Sequence, residues 1–94
     1  MSAFSPRLLK NAIRQLKKLD PQVARRIAEQ ITWLSEHFEE MKAEPLKGVL
    51  EGLFKYREGD YRIIYEPLQR EKVIVIHEIG HRREIYKKAS RSKK

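Results

Sequence analysis

The chain has 94 residues, no cysteine, and 21 Lys/Arg against 13 Asp/Glu, a formal charge of +8 with pI near 9.9. That length supports one domain with a single modest core, and the lack of cysteine excludes disulfides and thiolate chemistry, in keeping with a reducing cytosol. The charge predicts attraction to polyanions, while the longest apolar run, 73–77, is too short to cross a bilayer and no signal-peptide pattern is present, so a soluble, cytoplasmic protein is expected.

The first half reads as two helices. From Pro6 to Leu19 the apolar residues Leu9, Ala12, Ile13, Leu16 and Leu19 recur at three- and four-residue spacing, with Ser5 as N-cap and Pro6 at the first helical position. Asp20-Pro21 repeats the start signal for a second helix to about Phe38, striped by Val23, Ile27, Ile31, Leu34 and Phe38. The two predict an antiparallel hairpin with one apolar side seeking a sheet. Glu39 to Gly52, with its glycines, proline and mixed charges, reads mostly as loop.

Beyond it the periodicity changes. Leu53 to Glu58, Tyr61 to Glu66 and Lys72 to Ile79 are β-branched and aromatic, which predicts a three-stranded antiparallel meander. If Gly59-Asp60 is a two-residue loop with Gly first, as a type II′ turn prefers, Glu58 lies opposite Tyr61 and Arg57 opposite Arg62. Alternation then places Lys55, Arg57 and Arg62 on one face, left open, and Phe54, Tyr56, Tyr61, Ile63 and Tyr65 on the face covered by helices. Opposed like charges cost up to roughly 1 kcal/mol, which makes more sense if an anion sits between them. After Tyr86 the tail carries five basic residues and no large apolar one, so residues 1–86 are expected to form the domain and 87–94 a mobile basic tail.

Charge and chemistry coincide. From Lys55 onward lie twelve of the 21 Lys/Arg but only six of the 13 Asp/Glu. The same stretch holds Gly80-His81-Arg82-Arg83-Glu84-Ile85-Tyr86. RNA can be cut without metal if a site deprotonates its 2′-hydroxyl, stabilises the phosphorane and protonates the leaving 5′-oxygen. Arg62 and Arg82 suit charge stabilisation, Lys55 is a candidate base beside Arg57, His81 titrates in the useful range, and Tyr86 can stack on a base or contact phosphate. Each also has a plainer reading: Lys55 and Arg57 as solvated charges, Arg62 as an ion-pair partner of Glu66 or Glu78, His77 as a satisfied core histidine, and Trp33 as core or partner surface. The histidines lack metal-site spacing and no phosphate-binding glycine loop is present, so neither metal nor cofactor is assigned.

Four segments together carry a resemblance: the hairpin with Lys17-Lys18-Leu19, then Pro45-Leu46-Lys47-Gly48, then Gly59-Asp60-Tyr61-Arg62-Ile63-Ile64-Tyr65, then Ile79-Gly80-His81-Arg82-Arg83-Glu84-Ile85-Tyr86. In this order the chain resembles the RelE branch of the RelE/ParE toxin superfamily of type II toxin–antitoxin systems. The resemblance implies an α+β fold, an N-terminal α-helical hairpin packed on a small, mainly antiparallel twisted sheet. Because Met1 to Ser5 is shorter than the family's opening strand, a stub first strand is expected.

The resemblance further implies a metal-independent mRNA endoribonuclease acting in the ribosomal A site, silenced in a hetero-oligomer by a cognate antitoxin. Its catalytic positions fall on Lys55, Arg62, Arg82 and Tyr86, and His81 matches a position that is basic in several relatives. Arg57, Arg83, Lys87 and Lys88 are then RNA-binding candidates, and the general acid is His81 or Arg82. One departure stands out: some relatives carry a second lysine two places before Lys55, where this chain has Leu53. The opposing reading is a ParE-like, non-catalytic inhibitor of DNA gyrase, and a third is a relative that binds the ribosome without cutting.

Overall fold

A computed structural model describes residues 3–93. In chain order the elements are β1 (Ser5–Leu8), α1 (Lys10–Lys18), α2 (Pro21–His37), a 3-10 turn at Phe38–Glu40, β2 (Glu44–Pro45), a second 3-10 turn at Gly48–Leu50, β3 (Phe54–Glu58), β4 (Tyr61–Leu68), β5 (Val73–His81) and α3 (Ile85–Lys93). The strands form one mixed sheet in the order β1-β5-β4-β3-β2, in which only β1 runs parallel to its neighbour. This is the expected α+β architecture, and its opening strand is a four-residue stub.

That stub corrects the reading of Ser5-Pro6 as a helix start. Ser5 to Leu8 pair with Val73 to Ile76, and α1 begins only at Lys10. A proline lacking its N–H is tolerated on an edge strand as readily as at a helix start, and the free edge of β5 decides between them. Phe4 just upstream is buried edge-on against Phe38, with centroids 5.1 Å apart. The second start signal holds: Asp20 caps α2 by accepting the Gln22 N–H at 2.9 Å, with Pro21 at the first helical position.

The hairpin register is as expected, with Arg57 opposite Arg62 and Glu58 opposite Tyr61. Gly59 has φ +59° and Asp60 does not join it at positive φ, the type II′ pattern that needs glycine first. One face of the sheet therefore collects Ile63, Tyr65, Ile74, Ile76 and Ile79 against Ile27, Ile31 and Leu34 of α2. Between β4 and β5 the pairing slips, from Ile64–Glu78 to Tyr65–Ile76, so His77 is an extra residue in a bulge. The slip keeps Ile76 and Ile79, three apart, on the same covered face.

The other face differs from expectation. Rather than lying fully open, it carries a second small core of Leu50, Leu53, Ile64, Ile85 and Ala89 beneath α3. The segment after Tyr86 thus forms a helix, where composition predicts a structureless tail. Ile85 and Ala89, four apart, present one buried stripe, and that suffices without a larger apolar residue further on. The proposed boundary at residue 86 falls inside this helix.

Candidate functional site

Strand alternation arranges the site. Lys55 and Arg57 on β3 and Arg62 on β4 share the face that bears α3, with Arg62 opposite Gly80 of β5. Gly80 matters here for close approach: a Cβ added to it would lie 3.1 Å from Ile85 Cδ1. Ile85 seats in that gap, fully buried, and so fixes the start of α3. Tyr86 follows it and lies with its ring centroid 6.0 Å from the Lys55 Nζ, at the outer limit of a cation–π contact.

Leu53, standing where some relatives have a lysine, is 3 % exposed and belongs to the core beneath α3. Its side chain supports the helix that carries Tyr86. Arg57 shares the Lys55 face of the same strand, and Glu44, the ion-pair partner of Arg57, lies opposite Lys55 in the register.

The hairpin turn gathers the arginines. Arg62 Nη1 donates to the carbonyls of Gly59 at 2.9 Å and Tyr61 at 2.8 Å. Arg82 is tied to the same turn through its backbone N–H, which donates to Asp60 O at 2.8 Å, and its Nε lies 3.8 Å from Asp60 Oδ1. Arg57 Nε pairs with Glu44 Oε1 at 3.4 Å. The partners expected for Arg62 are engaged elsewhere, Glu66 with His77 at 3.0 Å and Glu78 with Asn11 and Gln15. Exposed pairs such as those of Arg57 and Arg82 contribute about 0–1 kcal/mol, so a phosphate can displace them at little cost.

His81 stands apart. It pairs with Tyr61 and meets that ring edge-on at 5.7 Å, so its side chain lies on the helix-covered face, opposite Arg62 and Lys55. Its Nδ1 accepts from the Arg83 backbone N–H at 3.2 Å. The alternation Ile79, Gly80, His81 could have revealed this placement in advance. His77 is also not a core residue: the bulge leaves it partly exposed and bonded to Glu66. Trp33 is a surface residue, 42 % exposed and stacked on His37 at 4.4 Å. Arg83, Lys87 and Lys88 are exposed around the start of α3, Lys88 pairing with Glu84 at 3.7 Å.

Sequence reasoning missed the two acidic partners Glu44 and Asp60 and the Gly80–Ile85 contact. Glu44 carried no signal, because β2 is only two residues long. Among the described residues no group of three or more His, Asp or Glu could hold a metal ion. No helix among them is long and apolar enough to cross a membrane.

Titration shifts cluster on the opposite face. Burial, then the charge of Glu44 and the neighbouring Tyr56, push the Tyr65 hydroxyl up to about 12. It has no hydrogen-bond partner among the described residues. Tyr56 is raised by burial and then by Glu58, and donates to Gln30 Oε1 at 2.6 Å.

Comparison with known proteins places this geometry. The family model described as ParE toxin of type II toxin–antitoxin system, parDE, matches residues 7–86. The toxin–antitoxin complex RelBE2 of Mycobacterium tuberculosis contains a chain 29 % identical, with TM-score 0.79, covering 86 % of this chain and 93 % of that one. The RelE–RelB complex of the archaeon Pyrococcus horikoshii OT3 gives 26 % identity and TM-score 0.68, covering 86 % and 97 %. A mutant of the E. coli toxin RelE in the free state shares the fold at 19 % identity and TM-score 0.74, covering 97 % and 98 %. A comparison with curated protein sequences found no match.

Proposed function

This chain belongs to the RelE/ParE superfamily of type II toxin–antitoxin toxins, and from that membership we propose that it is a ribosome-dependent mRNA endoribonuclease. The observation that carries this reading is that Lys55, Arg57 and Arg62 share one sheet face, with Tyr86 beside Lys55 and Arg82 tied to the turn that holds Arg62. An inhibitor acting only by binding has no need of that set.

In this mechanism the message's own 2′-hydroxyl attacks the adjacent phosphorus, the bond to the 5′-oxygen breaks, and the products are a 2′,3′-cyclic phosphate and a 5′-hydroxyl end. Lys55 assists removal of the 2′-proton or steadies the phosphorane. Arg62 and Arg82 hold its equatorial oxygens, an arrangement that acts most strongly once water is excluded. Tyr86 orients the nucleotide by stacking. Of the two candidate acids, Arg82 shares the turn with Arg62, whereas His81 faces the other way, so the proton to the 5′-oxygen is assigned to the Arg82 side of the site.

Arg57 and Arg82 are exposed and Lys55 and Arg62 half-buried, so the site supplies charge but little shape. Holding message in a ribosomal A site would provide the missing alignment, an effect able to supply several kcal/mol. Antitoxin complexes of the M. tuberculosis and P. horikoshii relatives support a cognate antitoxin here, bound in a toxin–antitoxin hetero-oligomer. Such a partner would set acidic residues near Lys55 and Arg62.

The family model's ParE description favours one rival, inhibition of DNA gyrase. In vitro translation with primer extension on the message separates the two, comparing wild type with Arg82→Ala and Tyr86→Ala. Cleavage within codons, only when ribosomes are present and lost in both variants, is expected. Intact message with trapped gyrase–DNA complexes would overturn the nuclease reading.

A further inference from the structure

On the far side of α3 from Tyr86 lies a second concentration of charge. Arg14 and Lys18 of α1 and Lys88 and Arg91 of α3 line an open cleft of about 280 Å³. Helical spacing explains both rows: Arg14 and Lys18 are four apart, Lys88 and Arg91 three apart, so each pair lies on one helix face. Tyr86 and Lys88, two positions apart, point to opposite sides of α3. One side of the helix thus faces Lys55 and the other faces α1.

The floor of the cleft sets one acidic group against these four cations. It is the buried Glu78, whose two carboxylate oxygens accept from Asn11 Nδ2 at 3.2 Å and Gln15 Nε2 at 2.7 Å. Gln15 is itself fixed, its Oε1 accepting the Ile79 N–H at 2.7 Å. Among the described residues no ion pair joins Glu78 to any of the four cations, and none involves Arg14, Lys18 or Arg91. Lys88 has only its exposed pair with Glu84, the kind of i,i+4 contact worth a few tenths of a kcal/mol.

We propose that this cleft is a second, non-catalytic RNA site, in which Arg14, Lys18, Lys88 and Arg91 grip backbone phosphates of RNA lying across α3. The proposal rests on the reading of the chain as an RNA-directed toxin. Four cations brought together in a chain of charge +8 repel one another, and a phosphate backbone relieves that repulsion while releasing its own counterions. The lining favours nucleic acid over an acidic protein segment because every side chain in it is polar. Protein partners are met by an apolar, aromatic centre, whereas nucleic-acid interfaces are polar and strongly positive.

The test measures binding of the full-length protein to purified ribosomes over a potassium chloride series. It compares wild type, Arg14→Gln/Arg91→Gln, and a charge-matched control, Arg25→Gln/Lys47→Gln, whose residues lie outside the cleft. Circular dichroism of each verifies folding. Loss of two phosphate contacts should lower the slope of log affinity against log salt by about 1.5 in the cleft variant, and clearly less in the control. An unchanged slope, or an equal fall in the control, would overturn the proposal, as would weakened antitoxin binding with ribosome binding intact. Wild type that leaves message uncut yet shows the cleft-specific fall would refute the nuclease reading and uphold the cleft.

Discussion

The two faces of the sheet are built on different terms. The face under α1 and α2 is a broad apolar core, with Ile27, Leu34, Ile63, Tyr65, Ile74 and Ile76 all fully buried. The face under α3 has a patch of five buried residues, surrounded by Lys55, Arg57 and Arg62 on one side and Glu66, His77 and Glu78 on the other. One face holds the molecule together, and the other exposes charge at the cost of a thinner core. A larger cavity, about 440 Å³, adjoins the basic cleft through Asn11 and Glu78 and is also lined by Leu9, Leu53, Glu66, His77 and Ala89. It is lined by none of the cationic site residues, so cavity size does not mark the chemistry here.

Breaking the first face should be the most damaging change. Leu34→Ala is expected to destabilise the protein by about 2–5 kcal/mol, a large part of the roughly 5–15 kcal/mol available to a domain. Thermal unfolding followed by circular dichroism reads this directly, and toxicity should fall with it. On the second face, Arg62→Ala should leave the melting temperature within a few degrees of wild type while message cleavage drops about 10²–10³-fold. A comparable loss of stability would mean that the cationic face is structural after all.

A subtler change tests whether the small core serves the site. Gly80→Ala should push Ile85 outward and displace Tyr86 from Lys55, lowering cleavage about tenfold or more. Ile85→Val in the same chain removes the methyl that clashes, so the double variant should recover activity. If it does not, Tyr86 is not positioned through this contact.

The smallest effects concern groups on the covered face. Tyr65 has its pKa raised from the ordinary 10.0 to about 12, so its neutral form is favoured by folding. The corresponding stability is fully present below about pH 10 and is lost as the pH climbs towards 12. Tyr65→Phe should remove that alkaline loss and, by deleting a hydroxyl without a partner among the described residues, raise stability by up to about 1 kcal/mol. His81→Ala should leave the cleavage rate and its pH profile unchanged, since His81 lies on the Tyr61 face; a shifted profile would return histidine to the mechanism.

Much of this contrast was legible in the residues themselves. Gly59-Asp60 sets a two-residue loop, and because alternation has period two, that one turn decides which face Lys55, Arg57 and Arg62 share. Asp20-Pro21 marks the start of α2 through a local cap that needs no distant partner. Ser5-Pro6 has the same appearance and does something else. Its role depends on the unpaired edge of β5, nearly 70 residues away in sequence.

Local chemistry, then, determined the turn, the α2 cap, the hairpin register and the concentration of cations after Lys55, because each depends on residues within a few positions of one another. Tertiary structure alone decided that Ser5–Leu8 joins the sheet and that the basic tail winds into α3. It likewise settled that Leu53 supports that helix and that Ile85 on Gly80 sets Tyr86 beside Lys55. These are long-range contacts, in which a single apolar residue gains its stabilisation only from a surface that distant strands assemble.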